Sequence, residues 1–554
     1  MTTLAEKLAR PDIMALRPFD TSAAQNKGMP ADAIRLDANE SPFSPLVGGP
    51  LSNAMNRYPE PQPAKLADAL SALYGVTPEN LFMGRGSDDA IDALCRAFIR
   101  AGVDSAAICP PTFGAYDSFL RIQGALVVEI PLGKDFAFEA DRFIAEAKCY
   151  DNLKLVFLCS PMNPTGNGID AADIRKVCAA LPNTIVVMDE AYIEFSDRPS
   201  MAAEAVQVEN LVVLRTLSKA YGLAGARVGC AIAPAATVDI LKRVMHPYPI
   251  PSLSVEAALG ALSPSRRPLV AERVKLLLAE RARVEQALQG AEGVKRIYPS
   301  EANFLFMDVD DPAGLAEKLR AAGVRARFRP MVCPGGLRIS IGTPEENDLA
   351  LTAFGVEPQG KQARRASVVR DTKETQIAVS VNLDEPGVRR IDTGVPFFDH
   401  MLEQTAAHGG FSLTLGCKGD LEIDAHHTIE DCAIALGQAL RQALGDKAGI
   451  ARFGFALPMD EAEAQVLIDL SGRPYAVFEG EFEQSHIGAY PTQMTEHVFK
   501  SLAEAIGAAI HVKVVGENDH HKTEACFKAF GRTLRQAFAR EGGAGAPSTK
   551  GMLA

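Results

Sequence analysis

Residues 426–444 read HHTIEDCAIALGQALRQAL, and residues 520–538 read HHKTEACFKAFGRTLRQAF. The two stretches agree at ten of nineteen positions, polar ones included: His-His-x-x-Glu, then Cys, Ala, Gly and Leu-Arg-Gln-Ala. Each predicts an amphipathic helix. Each is preceded by another histidine at a similar distance, His400 in FFDHMLEQ and His497 in MTEHVFKSL. Two copies with matched upstream histidines predict a half-domain repeated twice, each copy supplying strands and two helices.

The repeated histidines carry chemistry. In His-His-x-x-Glu the first histidine lies four residues before the glutamate and the second lies three before it. At a helix start all three can project to nearby positions. Imidazole with carboxylate suits Mn, Fe, Zn or Ni. With His400 and His497 added, the region predicts two metal sites, each of three histidines and a glutamate. The ligands are His400, His426, His427, Glu430, His497, His520, His521 and Glu524. His408, His486 and His511 fall outside the pattern and read as structural. Of ten histidines, only His246 lies before residue 400, so the chain divides into two regions of different chemistry.

Working outward, 554 residues are too many for one ordinary domain. The composition, 47% hydrophobic and 23% charged, is that of a soluble globular protein. No apolar run approaches the ~20 residues of a membrane span, so no membrane partner is expected. The N-terminus lacks a signal-peptide pattern, which predicts a cytoplasmic protein. A net charge of −12 argues against a nucleic-acid partner. Ten cysteines without a CxxC pair read as free thiols.

Upstream, LKLVFLCS (153–160), TIVVMDEAY (184–192) and LVVLRTLSK (211–219) are strand-like runs apolar almost throughout, with helical patterns between them. This alternation predicts an α/β domain with a mainly parallel sheet. It ends after LRISIGTPEENDLALTAFGV, where EPQGKQARRAS reads as a linker. The expected organisation is a first domain over 1–358, a linker over 359–366 and a second domain over 367–554.

Four pieces of the first region combine. GRGSDDAI (84–91) places Ser87 and Asp88 where backbone N–H groups can hold an anion. SPMNPTG contributes Asn163, VVMDEAY puts Asp189 at a strand end, and TLSKAYGLAGARVG carries Ser218, Lys219 and Arg227. A lysine that can lose its proton forms a Schiff base with an aldehyde. A buried aspartate keeps a pyridinium nitrogen protonated. Arg227, Ser218 and the Gly86–Asp88 loop can hold a phosphate. Together they predict a pyridoxal 5'-phosphate site.

With LDANESPFSP, RYPEPQ, PPTFGAY and LRISIGT, these motifs resemble the fold-type-I aminotransferases, specifically the histidinol-phosphate aminotransferases. The resemblance implies a mainly parallel sheet with a small C-terminal subdomain, Lys219 as the Schiff-base lysine and Asp189 as the pyridinium partner. It implies that Asn163 and Tyr192 bond the pyridoxal oxygen and Phe113 stacks on its ring. Ser87, Asp88, Thr216, Ser218 and Arg227 would surround the phosphate. Tyr58 would reach the neighbouring subunit's cofactor, which implies a dimer. Asn39, Arg327 and Arg338 would bind substrate, and Phe19 stands where a substrate-touching Tyr is expected.

The second region resembles the imidazoleglycerol-phosphate dehydratases through RDTKETQI, DTGVPFFDHMLEQ, HGGF, ARFGFALPMDEA, IDLSGRPY and PSTKGML, besides both histidine stretches. That implies an α+β domain of two duplicated halves and two Mn²⁺ per site. It implies sites assembled between subunits of a 24-mer, with Glu374 and Gln404 near the substrate's glycerol arm and Arg452, Arg473, Ser548 and Lys550 binding its phosphate; the catalytic proton mover is then expected to be Glu374 or a metal-bound water. The two families catalyse consecutive steps of histidine biosynthesis. The chain is therefore expected to be bifunctional, turning imidazoleglycerol phosphate into imidazole-acetol phosphate and, with glutamate, into histidinol phosphate. Aminotransferase dimers would sit around a dehydratase core. The alternatives are an aminotransferase of broader or aromatic specificity, and a second domain that serves only as an assembly scaffold.

Overall fold

The structure is a computed structural model and describes residues 2–15, 58–264, 266–357, 364–447, 449–454 and 457–540. The candidates Phe19, Asn39, Ser548 and Lys550 lie outside the described residues. The chain forms two compact units, one of Met1–Leu262 with Glu272–Gln359, the other of Gly360–Ala554 with Ser263–Ala271.

The first unit is built on a seven-stranded sheet. Its strands are β1 (Leu81–Gly84), β2 (Ser105–Ile108), β3 (Leu126–Glu129), β4 (Leu153–Cys159), β5 (Ile185–Asp189), β6 (Leu211–Thr216) and β7 (Gly229–Ile232), in the order β1-β7-β6-β5-β4-β2-β3. The path from β6 to β3 is parallel, and β7 runs antiparallel to both β1 and β6. The apolar runs of β5 and β6 are buried along their whole length, as strands covered on both faces must be. Because β7 is reversed against both neighbours, β1 points the same way as β4, β5 and β6. Six of the seven strands therefore end at one edge, where open α/β sheets bind ligands. Helix α1 (Ser87–Phe98) starts there, and α2 (Ala115–Ile122) packs behind it. A smaller antiparallel sheet follows, of β8 (Val294–Tyr298), β9 (Phe304–Val309), β10 (Arg327–Phe328) and β11 (Gly336–Ser340), over a core of Leu305, Met307, Leu337 and Ile339.

The second unit repeats one topology. In the first half, hairpin β12 (Arg365–Asp371)–β13 (Thr375–Asn382) is followed by β14 (Arg389–Asp392), helix α3 (Pro396–Gly409), β15 (Ser412–Gly419) and helix α4 (His426–Leu444). The second half begins with β16 (Phe453–Gly454), then hairpin β17 (Leu457–Met459)–β18 (Ala462–Asp469) and β19 (Tyr475–Glu479). A short ribbon, β20 (His486–Ile487) and β21 (Tyr490–Pro491), precedes helix α5 (Met494–Ile506), β22 (Ala509–Val515) and helix α6 (Asp519–Ala537). β15 pairs antiparallel with β13 and parallel with β14, and β22 does the same with β18 and β19. Each sheet carries its own helix pair, and the pairs pack crosswise, α4 on α5 and α3 on α6. Gly437 on α4 makes this approach possible, since a Cβ there would lie 2.5 Å from that of Ala505.

β12 begins at Arg365, inside the stretch expected to be linker. The basic residues that gave that stretch its polar look are cross-strand partners: Arg364 holds Asp384 at 2.7 Å and Arg365 holds Glu385 at 3.0 Å.

Candidate active sites

At the sheet edge of the first unit, Ser87, Asp88, Phe113, Asn163, Asp189, Tyr192, Thr216, Ser218, Lys219, Arg227, Arg327 and Arg338 line one cavity of about 320 Å³. Asp189 ends β5 and is 3% exposed. The Tyr116 hydroxyl, from α2, donates to Asp189 Oδ2 at 2.6 Å, and the Ala191 amide donates to Oδ1 at 3.0 Å. Burial still pushes the Asp189 carboxyl up, to about 6, against the pull of these donors. Lys219 follows β6, where burial, helped by the Arg338 cation, lowers its pKa and so favours the neutral, nucleophilic amine. Its Nζ stands 5.5 Å from the Tyr192 ring centre, and Asn163 Nδ2 donates to the Tyr192 hydroxyl at 3.4 Å.

An anion cradle lies opposite. Gly86 takes φ 82° before α1, which turns the first helical amides toward the cavity. Arg227, itself at φ 53°, donates to Asp88 Oδ2 at 2.9 Å and to the Arg85 carbonyl at 3.2 Å. Thr216 Oγ1 donates to Ser218 Oγ at 2.8 Å. Gly229 packs so tightly that a Cβ would lie 2.5 Å from Gly86 C and Ser87 N. A buried carboxylate, a lysine disposed to lose its proton and an amide-lined cradle fit a pyridine ring bearing an aldehyde and a phosphate.

The structure adds residues that motif reading missed. Tyr116 was quoted within PPTFGAY without a role. Arg329 lines the cavity beside Arg327 and Arg338, and its buried Nε has no hydrogen-bond partner. A third cation aimed at the cavity suits an anionic substrate group. The Arg-x-Arg alternation of residues 327–329 was the available signal. Arg338 is committed to Asn163 Oδ1 and lies 5.2 Å over the Phe304 ring. Tyr58 is 52% exposed and stacks on Tyr248 at 4.5 Å.

In the second unit the histidines group differently from their order in sequence. His426 Nε2 and His497 Nε2 approach the two oxygens of Glu430, at 3.5 and 3.1 Å. His520 Nε2 and His400 Nε2 approach those of Glu524, at 3.3 and 3.8 Å. Each set crosses between the halves, because α4 packs on α5 and α3 on α6. The His426–Glu430–His497 set alone has its ligand atoms within 4.8 Å of one another among the described residues. His497 Nε2 is buried and, though 3.1 Å from Glu430 Oε1, makes no well-aligned hydrogen bond, as suits an atom that shares a metal with that carboxylate. Lys528 Nζ also holds Glu524, at 2.7 Å.

His427 and His521 do not join these sets within one chain. One residue is a turn of ~100° on a helix, so the second histidine of each pair leaves the face that the first shares with the glutamate. The paired rings stand nearly perpendicular, 80° and 89° apart. His427 Nδ1 donates to Asp420 at 3.0 Å and His521 Nδ1 to Glu461 at 2.8 Å. A carboxylate on Nδ1 leaves Nε2 as the ligand atom and strengthens it, so Asp420 and Glu461 are orienting groups the sequence reading did not name. Glu374 Oε1 lies 4.0 Å from His427 Nε2, and Gln404 Nε2 3.4 Å from His400 Nε2. Arg452 is bound by Asp469 at 2.6 Å, and Arg473 follows the Ser471 turn.

The profile of the aminotransferase class I and II family matches residues 22–354. The chain belongs to that family. Within it, the first unit groups with histidinol-phosphate aminotransferases: that of Stenotrophomonas maltophilia is 43% identical over 368 residues, 65% of this chain and 97% of the relative. The histidinol-phosphate aminotransferase of Sinorhizobium meliloti, solved in complex with pyridoxal-5'-phosphate, shares the fold with a TM-score of 0.50 at 24% identity, over 57% of this chain and 88% of that one. The imidazoleglycerol-phosphate dehydratase profile matches residues 393–534. The histidine biosynthesis bifunctional protein HisB of S. maltophilia is 60% identical over 190 residues, 34% of this chain. This chain spans about half of that relative, 53% of its length.

Proposed function

We propose that the chain catalyses two consecutive steps of histidine biosynthesis. The second unit dehydrates imidazoleglycerol phosphate, and the first transaminates the resulting imidazole-acetol phosphate with glutamate to histidinol phosphate. One observation carries the reading: a lysine–aspartate pair facing three arginines shares a chain with two histidine–glutamate sets. The first domain runs to about residue 358, the second begins by Arg365, where β12 starts, and the setting is the cytoplasm. Among the described residues no helix is long and apolar enough to cross a membrane.

In the first unit pyridoxal phosphate, when bound, supplies an electron sink for the substrate's α-carbon. Asp189 would hold the proton at the pyridine nitrogen, and Asn163 and Tyr192 would hydrogen-bond the ring oxygen. Phe113 would stack on the ring, and the cradle of Ser87, Asp88, Thr216, Ser218 and Arg227 would hold the phosphate. Lys219 Nζ, whose pKa burial lowers, is the nucleophile and then the carrier of the proton at the α-carbon. Arg327, Arg329 and Arg338 orient the substrate's anionic end, Asn39 serves substrate binding, and Tyr58 serves the partner subunit's site.

In the second unit manganese, when bound, supplies Lewis acidity at the imidazole nitrogens of the substrate. His426, His497 and Glu430 would hold one ion, and His400, His520 and Glu524 the other. His427 and His521, whose Nε2 atoms stay outside these two sets, would complete the sites of neighbouring copies, in keeping with a 24-mer carrying aminotransferase dimers around it. Glu374 Oε1 moves the proton at the carbon beside the imidazole. Gln404 serves the glycerol arm, and Arg452, Arg473, Ser548 and Lys550 serve the phosphate.

The test is coupled conversion. The intact chain with manganese and pyridoxal phosphate should turn imidazoleglycerol phosphate plus glutamate into histidinol phosphate. Preference for phenylpyruvate would overturn the first assignment, and absence of dehydration would reduce the second unit to a scaffold.

A further inference from the structure

The two duplicated halves fasten their hairpin tips differently. In the first half the β12–β13 tip, Thr372–Thr375, carries Glu374. The Glu374 and Thr375 amides donate to Thr372 Oγ1 at 3.1 and 2.9 Å. Thr375 Oγ1 in turn donates to Asp431 Oδ2 at 2.6 Å, and Thr372 Oγ1 approaches the same oxygen at 3.4 Å. Arg370, on β12, donates to Asp431 Oδ1 through Nε at 3.0 Å and through the guanidinium tip at 2.7 Å. Asp431 is 7% exposed and follows Glu430 on α4.

The second half has Ala525 at the place of Asp431. Its hairpin tip is fastened by its own glutamate: Glu461 accepts from His521 Nδ1 at 2.8 Å and from the Asn518 amide at 3.0 Å. In the first half Asp420 has taken over His427 Nδ1, so Glu374 is released from that duty. Its side chain is 52% exposed and meets His427 Nε2 at 4.0 Å. A carboxylate so lightly held keeps its place through the backbone that carries it.

We infer that Asp431 is the positioning residue of Glu374, clasping the Thr372–Thr375 tip to the helix that carries His427 and Glu430. The inference rests on the reading that Glu374 moves the proton in the dehydration. One half of the duplication has kept its tip glutamate as a fastener. The other has moved the fastening to Asp431 and freed the glutamate for chemistry.

The test compares Asp431→Ala, which installs the other half's own residue, with Asp431→Asn, Glu374→Gln and the Asp431→Ala/Glu374→Gln double variant, all in the full chain. Asp431→Ala should lower kcat for dehydration about 100-fold, within the range for one positioned acid–base group. KM and metal content should stay within about twofold, because substrate and metal contacts are untouched. The double variant should be no slower than Glu374→Gln alone, since both changes act through one carboxylate. Asp431→Asn, whose amide oxygen still accepts from Thr375, should keep more activity than Asp431→Ala. Hydrogen exchange of a peptide spanning residues 371–377 gives a readout independent of turnover: in Asp431→Ala the Glu374 and Thr375 amides should exchange about tenfold faster. Unchanged exchange, unchanged kcat in Asp431→Ala, or multiplying losses in the double variant would overturn the inference. Full turnover by Glu374→Gln would instead defeat the assigned role of Glu374, and exchange would then decide the clasp alone.

Discussion

Tyr116→Phe isolates the hydrogen bond that restrains Asp189. In the cofactor-free chain the Asp189 carboxyl is raised from 3.8 to about 6, mainly by burial. The folded chain therefore holds this proton more tightly than the unfolded chain does. The corresponding stability is fully present below the unfolded value and is lost as pH rises through the folded one. Two pKa units correspond to about 3 kcal/mol. The Tyr116 hydroxyl, 2.6 Å away, is worth more to the carboxylate than to the neutral acid. A hydrogen bond to a charged group contributes about 1.5–3 kcal/mol and one between neutral groups about 0.5–1.5 kcal/mol. Removing it should therefore raise Asp189 by about one further pKa unit, an extra cost of about 1–1.5 kcal/mol above neutrality. Urea unfolding at pH 4.5 and pH 8 measures this, followed by circular dichroism because the chain has no tryptophan. Tyr116→Phe should destabilise more at pH 8 than at pH 4.5, and the difference should vanish in an Asp189→Asn background. Equal destabilisation at both pH values would refute the argument.

Three further outcomes are expected. Arg329→Ala should raise KM for the phosphorylated keto substrate about tenfold or more while leaving the spectrum of the bound cofactor unchanged; steady-state kinetics with absorbance spectra check both. Asp420→Asn and Glu461→Gln should each weaken metal binding about 10–100-fold, as measured by competition with a chelator. Gly229→Ala would put a Cβ 2.5 Å from the backbone of Gly86 and Ser87, so equilibrium dialysis should show pyridoxal phosphate bound at least about tenfold more weakly.

The duplication was legible because polar and apolar positions repeat together, and the repeated strand pairing bears that out. The parallel sheet was legible from unbroken apolar runs. The reversed β7 was not, since GCAI looks alike in either direction. The Lys219–Asp189 site could be read because short motifs carry it, and twelve of its expected residues line one cavity. Its support could not: Tyr116 meets Asp189 across 73 positions of sequence. The sequence presents His400 before His426 and His497 before His520, but which helices pack together decides which histidines meet. Asp420 and Glu461 resemble ordinary surface carboxylates until a ring nitrogen is seen beside each.

The crosswise sets have a consequence for descent. Each is drawn from both copies of the duplication: His426 and Glu430 with His497, His520 and Glu524 with His400. An ancestral polypeptide with a single copy would have held an upstream histidine and a His-His-x-x-Glu helix with no way to close them on each other. Two such polypeptides related by a twofold axis would close both sets at once. Joining two such copies in one chain tethers the symmetric pair that the crosswise sets need. Once tethered, the copies were free to differ, and Asp431 against Ala525 is one trace of that inheritance.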